Sequence, residues 1–304
     1  MRSPRRLAAA TALLPLILTA CGSSDPYEEG GGGGSADPSQ EAVVVGSANF
    51  PESTLLGNIY AEAMRAQGVP VRTQFNIGSR EVYFHQIQEG ELSVFPEYNG
   101  AVLFHLDPEA TTGDTEATNA TIEQQLPDSL AILDSAQAQS KDSLTVTAET
   151  AQRHDLAAIP DLADVAGDMV LGAPAEFETR PQGVPGLSET YGLTFAEFRS
   201  LDSSLVAQAL SDGDIQAGNL FTTSPAFAVN DFVVLEDPEN LFGVQNVTPL
   251  IHSDSVDDTA RDALNAVSAE LTTQALVDLN QRVSVDHEDP DHVATDWLES
   301  VGLV

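Results

Sequence analysis

The chain has 304 residues, 42% of them hydrophobic, and a formal net charge of -35 from 47 acidic and 12 basic side chains. That length accommodates two domains or one large one, with enough apolar material for a sizeable core. So acidic a surface repels nucleic acid and anionic lipid head groups and excludes partners of those kinds. Lysine occurs once, at Lys141, a bias that suits solubility in salty surroundings.

At the start, Arg2, Arg5 and Arg6 precede an apolar run from Leu7 to Ala20. The run is short for a bilayer span and has the flanks of an export signal. Leu18-Thr19-Ala20-Cys21 resembles a bacterial lipobox, which implies cleavage before Cys21 and acylation of its thiol as a lipid anchor. Cys21 is the single cysteine, so the remainder needs no disulfide outside the cytoplasm. Residues 1–20 are thus expected to be a lipoprotein signal peptide. Residues 21–41, with five consecutive glycines at Gly30 to Gly34, are expected to be a flexible tether.

The folded part begins at Ala42. Val43 to Gly46 reads as a buried strand, and Leu55, Leu56, Ile59, Tyr60, Ala63 and Met64 recur at helical spacing. Val69 to Phe75 alternates as a second strand. A helix through Val82, His85 and Ile87 stops at Gly90. Leu92 to Phe95 reads as a third strand, ended by Pro96, with Glu97, Tyr98 and Asn99 on the following loop. The order βαβαβ calls for a parallel sheet with helices on its faces. Ligands bind such sheets at the carboxyl ends of the strands. Three loops converge there: Ser47 to Glu52, Gly78 to Glu81 and Glu97 to Ala101.

Ala110 to Ala120 reads as a loop or weak helix start, and Ile122 to Ile132 as a helix interrupted at Pro127. Leu144 to Thr147 is a short strand. Ala148 to His154 and Leu162 to Ala166 are expected to be helical. Val170 to Pro174 repeats the strand-then-loop signature, followed by Glu176 to Pro181. Asp214 to Phe221 mirrors the stretch that ends in Tyr98. Phe232 to Leu235 and Val247 to Ile251 are further strands, and Asp257 to Leu303 reads as helices. Two α/β lobes follow, with crossings near Ser143 to Thr147 and Gln245 to Pro249. Residues 42–143 and 248–304 form lobe 1 and residues 144–247 form lobe 2.

Catalysis has little support in these residues. There is no G-x-S-x-G elbow, phosphate-cradling glycine loop or H-E-x-x-H. His287, Asp289 and His292 have a ligand-like spacing, but a solvated loop explains them better, and no metal or cofactor is expected. An anchored enzyme remains as a runner-up of another class, and a ligand sensor feeding a different membrane protein as a third reading. Arg180 stands out among so few bases. It suits either bidentate binding of a ligand carboxylate or a structural salt bridge, and spacing does not separate the two. Tyr98 and Phe221 are candidate aromatic walls able to attract a cationic head group.

From Val43 to Leu303 the chain resembles the type II solute-binding proteins of osmoprotectant ABC importers, for glycine betaine, choline and related compounds. The matching segments are Val45 to Glu52, Pro96 to Gly100, Glu176 to Gly183, Leu235 to Pro238 and Leu271 to Thr273. The resemblance implies an α/β, two-lobed, periplasmic-binding-protein-like (type II) fold. Each lobe would be a small mostly parallel sheet flanked by helices, with two hinge crossings and no chemistry performed. It also implies lobes that close on a ligand and present a surface to the membrane subunits of the transporter. Tyr98 then matches a tyrosine of the aromatic cage, and Arg180 the arginine that holds the carboxylate. Phe221 stands where a cage tyrosine is common. Asp142 and Gln245 replace two further cage tyrosines, and Ala48 and Ala101 stand where a lysine and a threonine help bind the carboxylate. Asn49, Phe50 and Ser79 complete the expected ligand contacts. With two cage rings replaced, a different small polar zwitterion or amine is the alternative ligand.

Overall fold

The computed structural model describes residues 42–304. The export signal, Cys21 and the tether expected before them lie outside the described residues. The first sheet is built from β1 (Val43–Gly46), β2 (Val71–Gln74), β3 (Val94–Tyr98) and β4 (Leu130–Ile132). Between and after these strands run α1 (Pro51–Ala66), α2 (Arg80–Gln88), α3 (Asn99–Leu106) and α4 (Thr115–Gln125). Pro51 starts α1 at a position where its missing N–H costs nothing. Asp114 caps α4 by accepting from the Ala117 N–H.

The chain leaves this sheet after Ile132 and joins the second at β5 (Asp142–Thr147). There follow α5 (Ala148–His154), β6 (Val170–Ala173), α6 (Val184–Tyr191), β7 (Glu197–Ser200), α7 (Ser203–Ser211), β8 (Ala217–Phe221), α8 (Ala226–Val229) and β9 (Phe232–Val234). It returns to the first sheet with β10 (Val247–His252) and closes with α9 (Asp258–Glu270), α10 (Thr273–Ser284) and α11 (Pro290–Val301). The sheet orders are β2-β1-β3-β10-β4 and β7-β6-β8-β5-β9. In each, four strands run in one direction and the crossing strand, β10 or β5, runs antiparallel between two of them. Phe221 therefore ends β8 at the topological position where Tyr98 ends β3.

Each sheet is covered on both faces. On one face of the first, Leu55, Ile59, Leu264, Leu276 and Leu298 of α1 and α9–α11 bury Val45, Val94 and Ile251. On the other, Phe84, Ile87, Val102, Leu103 and Ile122 pack on Phe95 and Leu250. The second sheet has its own core around Leu144, Val146, Leu171 and Phe177, with a smaller group around Val206, Leu210 and Ile215.

Four expectations need correction. β3 does not stop at Phe95 but runs through Pro96 to Tyr98. It pairs antiparallel with β10, Pro96 opposite Pro249. The His252 N–H donates to the Ser93 carbonyl and the Asn99 N–H to the Asn246 carbonyl. Hydrogen-bonded and non-hydrogen-bonded pairs alternate along such a ladder, so the two prolines meet where neither strand needs an N–H from the other. Leu130 to Ile132 is a strand and not the end of a helix, because β10 supplies a partner. The expected helix at Leu162 to Ala166 is 3₁₀, in two turns. The first crossing lies upstream of Ser143, which with Leu144 to Val146 sits inside β5.

Candidate ligand-binding cleft

A cavity of about 420 Å³ lies between the two sheets, and all eight residues expected to contact a ligand line it. Asn49 and Phe50 follow β1, Ser79 follows β2, Tyr98 ends β3, Asp142 begins β5, Arg180 follows β6 and Phe221 ends β8. Gln245 lies just before β10. The expected convergence of strand ends is thus doubled, with one set from each sheet.

Because β3 continues to Tyr98, its last side chains alternate between faces. Tyr98 turns toward α1 and Glu97 toward α2. The Tyr98 ring lies 6.5 Å from that of Phe50 in a stacked arrangement, and Phe50 lies 5.2 Å from Phe221. Three rings therefore form one wall spanning both lobes. The Tyr98 hydroxyl donates to Glu52 Oε1 at 2.5 Å. Burial, reinforced by the Glu52 charge, pushes the phenol well above its ordinary range. The other Glu52 oxygen accepts from the Thr223 hydroxyl and the Asn280 amide. Glu52 is 6% exposed, and these donors, not a cation, satisfy it.

On the α2 face, Arg80 grips Glu97 with Nε and Nη2, both at 2.7 Å, and Tyr83 donates to the same carboxylate at 2.6 Å. Burial alone would raise the Glu97 carboxyl, but the Arg80 charge and these hydrogen bonds hold it below its ordinary range. Arg80 lines the cavity. Neither Glu52 nor Arg80 is singled out by the sequence. Arg80 had one available signal, its scarcity as a base.

Arg180 reaches across the cleft from the second lobe. Its Nε and Nη2 meet the two oxygens of Glu81 on α2 at 3.0 and 3.2 Å, and Glu176 lies 3.9 Å from Nη2. The salt-bridge reading is therefore the one realised in this structure. Burial works against ionisation of Glu81, but hydrogen bonds from Arg180 and Ser79 bring its carboxyl down to about 2.

Asp142 sits directly opposite Phe221 in the β5–β8 register, and Asn219 donates to its Oδ1 at 3.0 Å. Burial raises its carboxyl despite that hydrogen bond. Gln245 plays a different part from the polar contact expected of it. Its Oε1 accepts from the Ala101 N–H and its Nε2 donates to the Phe242 carbonyl, both at 2.9 Å. The amide thus links the first turn of α3 to the loop before β10. Ala48 and Ala101 are buried small side chains at the cavity wall.

Residues 41–300 match the family model described as the substrate binding domain of ABC-type glycine betaine transport system. The chain belongs to this family. It is a substrate-binding component of an ABC importer, acting outside the cytoplasm. Among its relatives is the glycine betaine-binding protein YehZ of Escherichia coli K12, 26% identical over 276 residues, which cover 86% of this chain and 90% of the relative. Another is the ergothioneine transport permease/ergothioneine binding protein EgtU of Helicobacter pylori G27. It is 24% identical over 87% of this chain but only 48% of its own length. A solved structure of a glycine betaine/carnitine/choline ABC transporter protein superposes with a TM-score of 0.68 at 20% identity, covering 86% of this chain and 99% of that one. At that identity the likeness speaks for the fold, the two-lobed type II architecture expected from the sequence.

Proposed function

We propose that this family member captures a small quaternary-amine solute, such as glycine betaine or choline, between its lobes and presents it to the importer's membrane subunits. The observation that carries this reading is the wall of Phe50, Tyr98 and Phe221 in the interlobe cavity. Aromatic faces attract a quaternary ammonium through the ring quadrupole, more strongly when water is excluded. YehZ, by its name, binds glycine betaine. Residues 42–141 and 247–304 serve as one closing lobe and 142–246 as the other, the bounds expected from the sequence shifted to the starts of β5 and β10. Ligand contacts come from Asn49, Phe50, Ser79, Tyr98, Asp142, Arg180 and Phe221, with Gln245 shaping the floor. Binding and release are the whole activity, without catalysis, and acylation of Cys21 tethers the protein to the outer face of the cell membrane.

A second reading keeps the receptor role and changes the ligand to another small polar zwitterion or amine. The cavity of about 420 Å³ favours it. That volume falls in the range of pockets that take ligands larger than the smallest betaines. EgtU, a relative of the same fold segment, is named for ergothioneine.

Thermal-shift measurements on the purified protein with betaines, choline, carnitine, polyamines and amino acids test both. A ligand at a hundred times its Kd adds about 2.7 kcal/mol, which raises Tm by roughly 5–10 °C at this chain length. A shift with quaternary amines supports the first reading. A shift confined to another class selects the second.

A further inference from the structure

The charges in the cleft are unevenly matched. Both arginines that line it are already paired with carboxylates through two hydrogen bonds each, Arg80 with Glu97 and Arg180 with Glu81. Asp142 has no ion-pair partner among the described residues. Asn219 satisfies its Oδ1, while its Oδ2 makes no hydrogen bond among the described residues. A second acceptor stands in the same lobe: Gln182, 4% exposed, lines the cavity, and its buried Oε1 has no hydrogen-bond partner among the described residues. Glu176 adds a third, held only at 3.9 Å from Arg180. Three acceptors on the second-lobe side of the cleft, two of them carboxylates, therefore keep unfilled hydrogen-bonding capacity.

Position sharpens this. Asp142 and Phe221 are direct cross-strand partners, whose side chains leave the same face of the sheet about 5 Å apart. A head group resting on the Phe221 ring thus lies within a short linker of Asp142. When a ligand fills the cleft and displaces water, an acceptor left without a donor costs free energy, and a carboxylate left without a cation costs more.

Resting on the quaternary-amine reading, we infer that the Asp142 side of the cleft is a donor-recognising subsite, which selects a ligand carrying a protonated amine or hydroxyl one short linker away from its quaternary head. A carboxylate in that place meets Asp142, and the Nε–Nη2 edge of each arginine is already taken by a glutamate. The preferred solute carries net positive charge, and a donor-free zwitterion such as glycine betaine is the poorer fit.

Calorimetric titration of the purified protein with four compounds reads this directly: tetramethylammonium, choline, glycine betaine and (2-aminoethyl)trimethylammonium. The expected order places the aminoethyl dication first, then choline, with glycine betaine weaker than both. Asp142→Asn keeps an acceptor for Asn219, and it should weaken the dication about tenfold more than it weakens tetramethylammonium, which loses only the through-space attraction of the carboxylate. Glycine betaine binding more tightly than choline and the dication would overturn the inference and leave the quaternary-amine reading standing. Equal weakening of every compound by Asp142→Asn would do the same. Failure of all four to bind overturns both. The wild-type rank order decides the matter even if the variant does not fold.

Discussion

The Tyr98 hydroxyl donates to the Glu52 carboxylate across 46 residues of sequence, joining the end of β3 to the first turn of α1 behind the aromatic wall. The same carboxylate accepts from Thr223, just beyond β8 of the second lobe, and from Asn280 on α10. One buried acid thus ties a cleft ring, a C-terminal helix and the opposite lobe together. An anion enclosed without a cation is tolerated because each hydrogen bond to it is charge-assisted.

Glu52→Ala leaves the Tyr98 and Asn280 donors without their acceptor in a buried site. Each stranded group costs on the order of 1–3 kcal/mol, so Tm should fall by at least several degrees. Tyr98→Phe removes one donor and keeps the ring, and its loss should be the smaller. Calorimetric scans of both variants check the order. Equal Tm values for Glu52→Ala and the parent would show that the network contributes nothing to stability.

Glu81 and Arg180 form the visible bridge at the cleft's edge. The depressed Glu81 carboxyl, down to about 2, contributes stability that is complete above the ordinary glutamate range and is lost as pH falls toward 2. Glu81 is half exposed, so screening holds the contribution below about 1 kcal/mol. Glu81→Gln should accordingly lower stability slightly at pH 7 and match the parent near pH 2. Urea titrations at the two pH values measure the difference. Small-angle scattering at pH 7 should show the variant's lobes spending more time apart.

The sequence exposed some of this architecture and hid the rest for physical reasons. β1 and β6 are legible because they are short β-branched or small-residue runs closed by glycine or proline. β7 is not, because Glu197 to Ser200 is an edge strand with no apolar run to announce it. Pro96 misleads in isolation: its tolerance depends on the register with β10, which puts it at a non-hydrogen-bonded position only once the chain has folded. Tyr98, Phe221 and Arg180 are visible as rare residue types at strand ends. Glu52 is not, since one acid among 47 acidic residues has no contrast, and its partners come from three distant segments. Gln245 shows a different limit. Its place near the cleft is legible, but its commitment to the Ala101 and Phe242 backbone follows only from the packing of α3.

Gly100 permits that packing. A Cβ at this position would stand 2.0 Å from the Val244 carbonyl oxygen, a backbone atom with no freedom to rotate away. Gly100→Ala must therefore push the Val244–Gln245 segment off the first turn of α3. The expected cost is at least the ~1–3 kcal/mol of an overpacked core, with weaker ligand binding because Tyr98 is the adjoining residue. A Tm within a degree of the parent would mean that the two segments separate freely.

Asp142 sets stability against function. Burial raises its carboxyl above the ordinary aspartate range, so the folded state holds that proton more tightly than the unfolded chain. Stability then falls as pH rises from the ordinary aspartate range through the raised one. Asp142→Asn removes the charge and keeps an acceptor for Asn219. Without ligand, the variant should melt at a higher temperature than the parent at pH 7, and the gain should vanish below the ordinary aspartate range. With a saturating cation that pairs with Asp142 the ranking reverses, because the parent alone gains the ion pair. Paired melting curves across pH, with and without the cation, measure both effects. A neutral-pH destabilisation by Asp142→Asn in the absence of ligand would mean that its charge already has a partner in the folded chain.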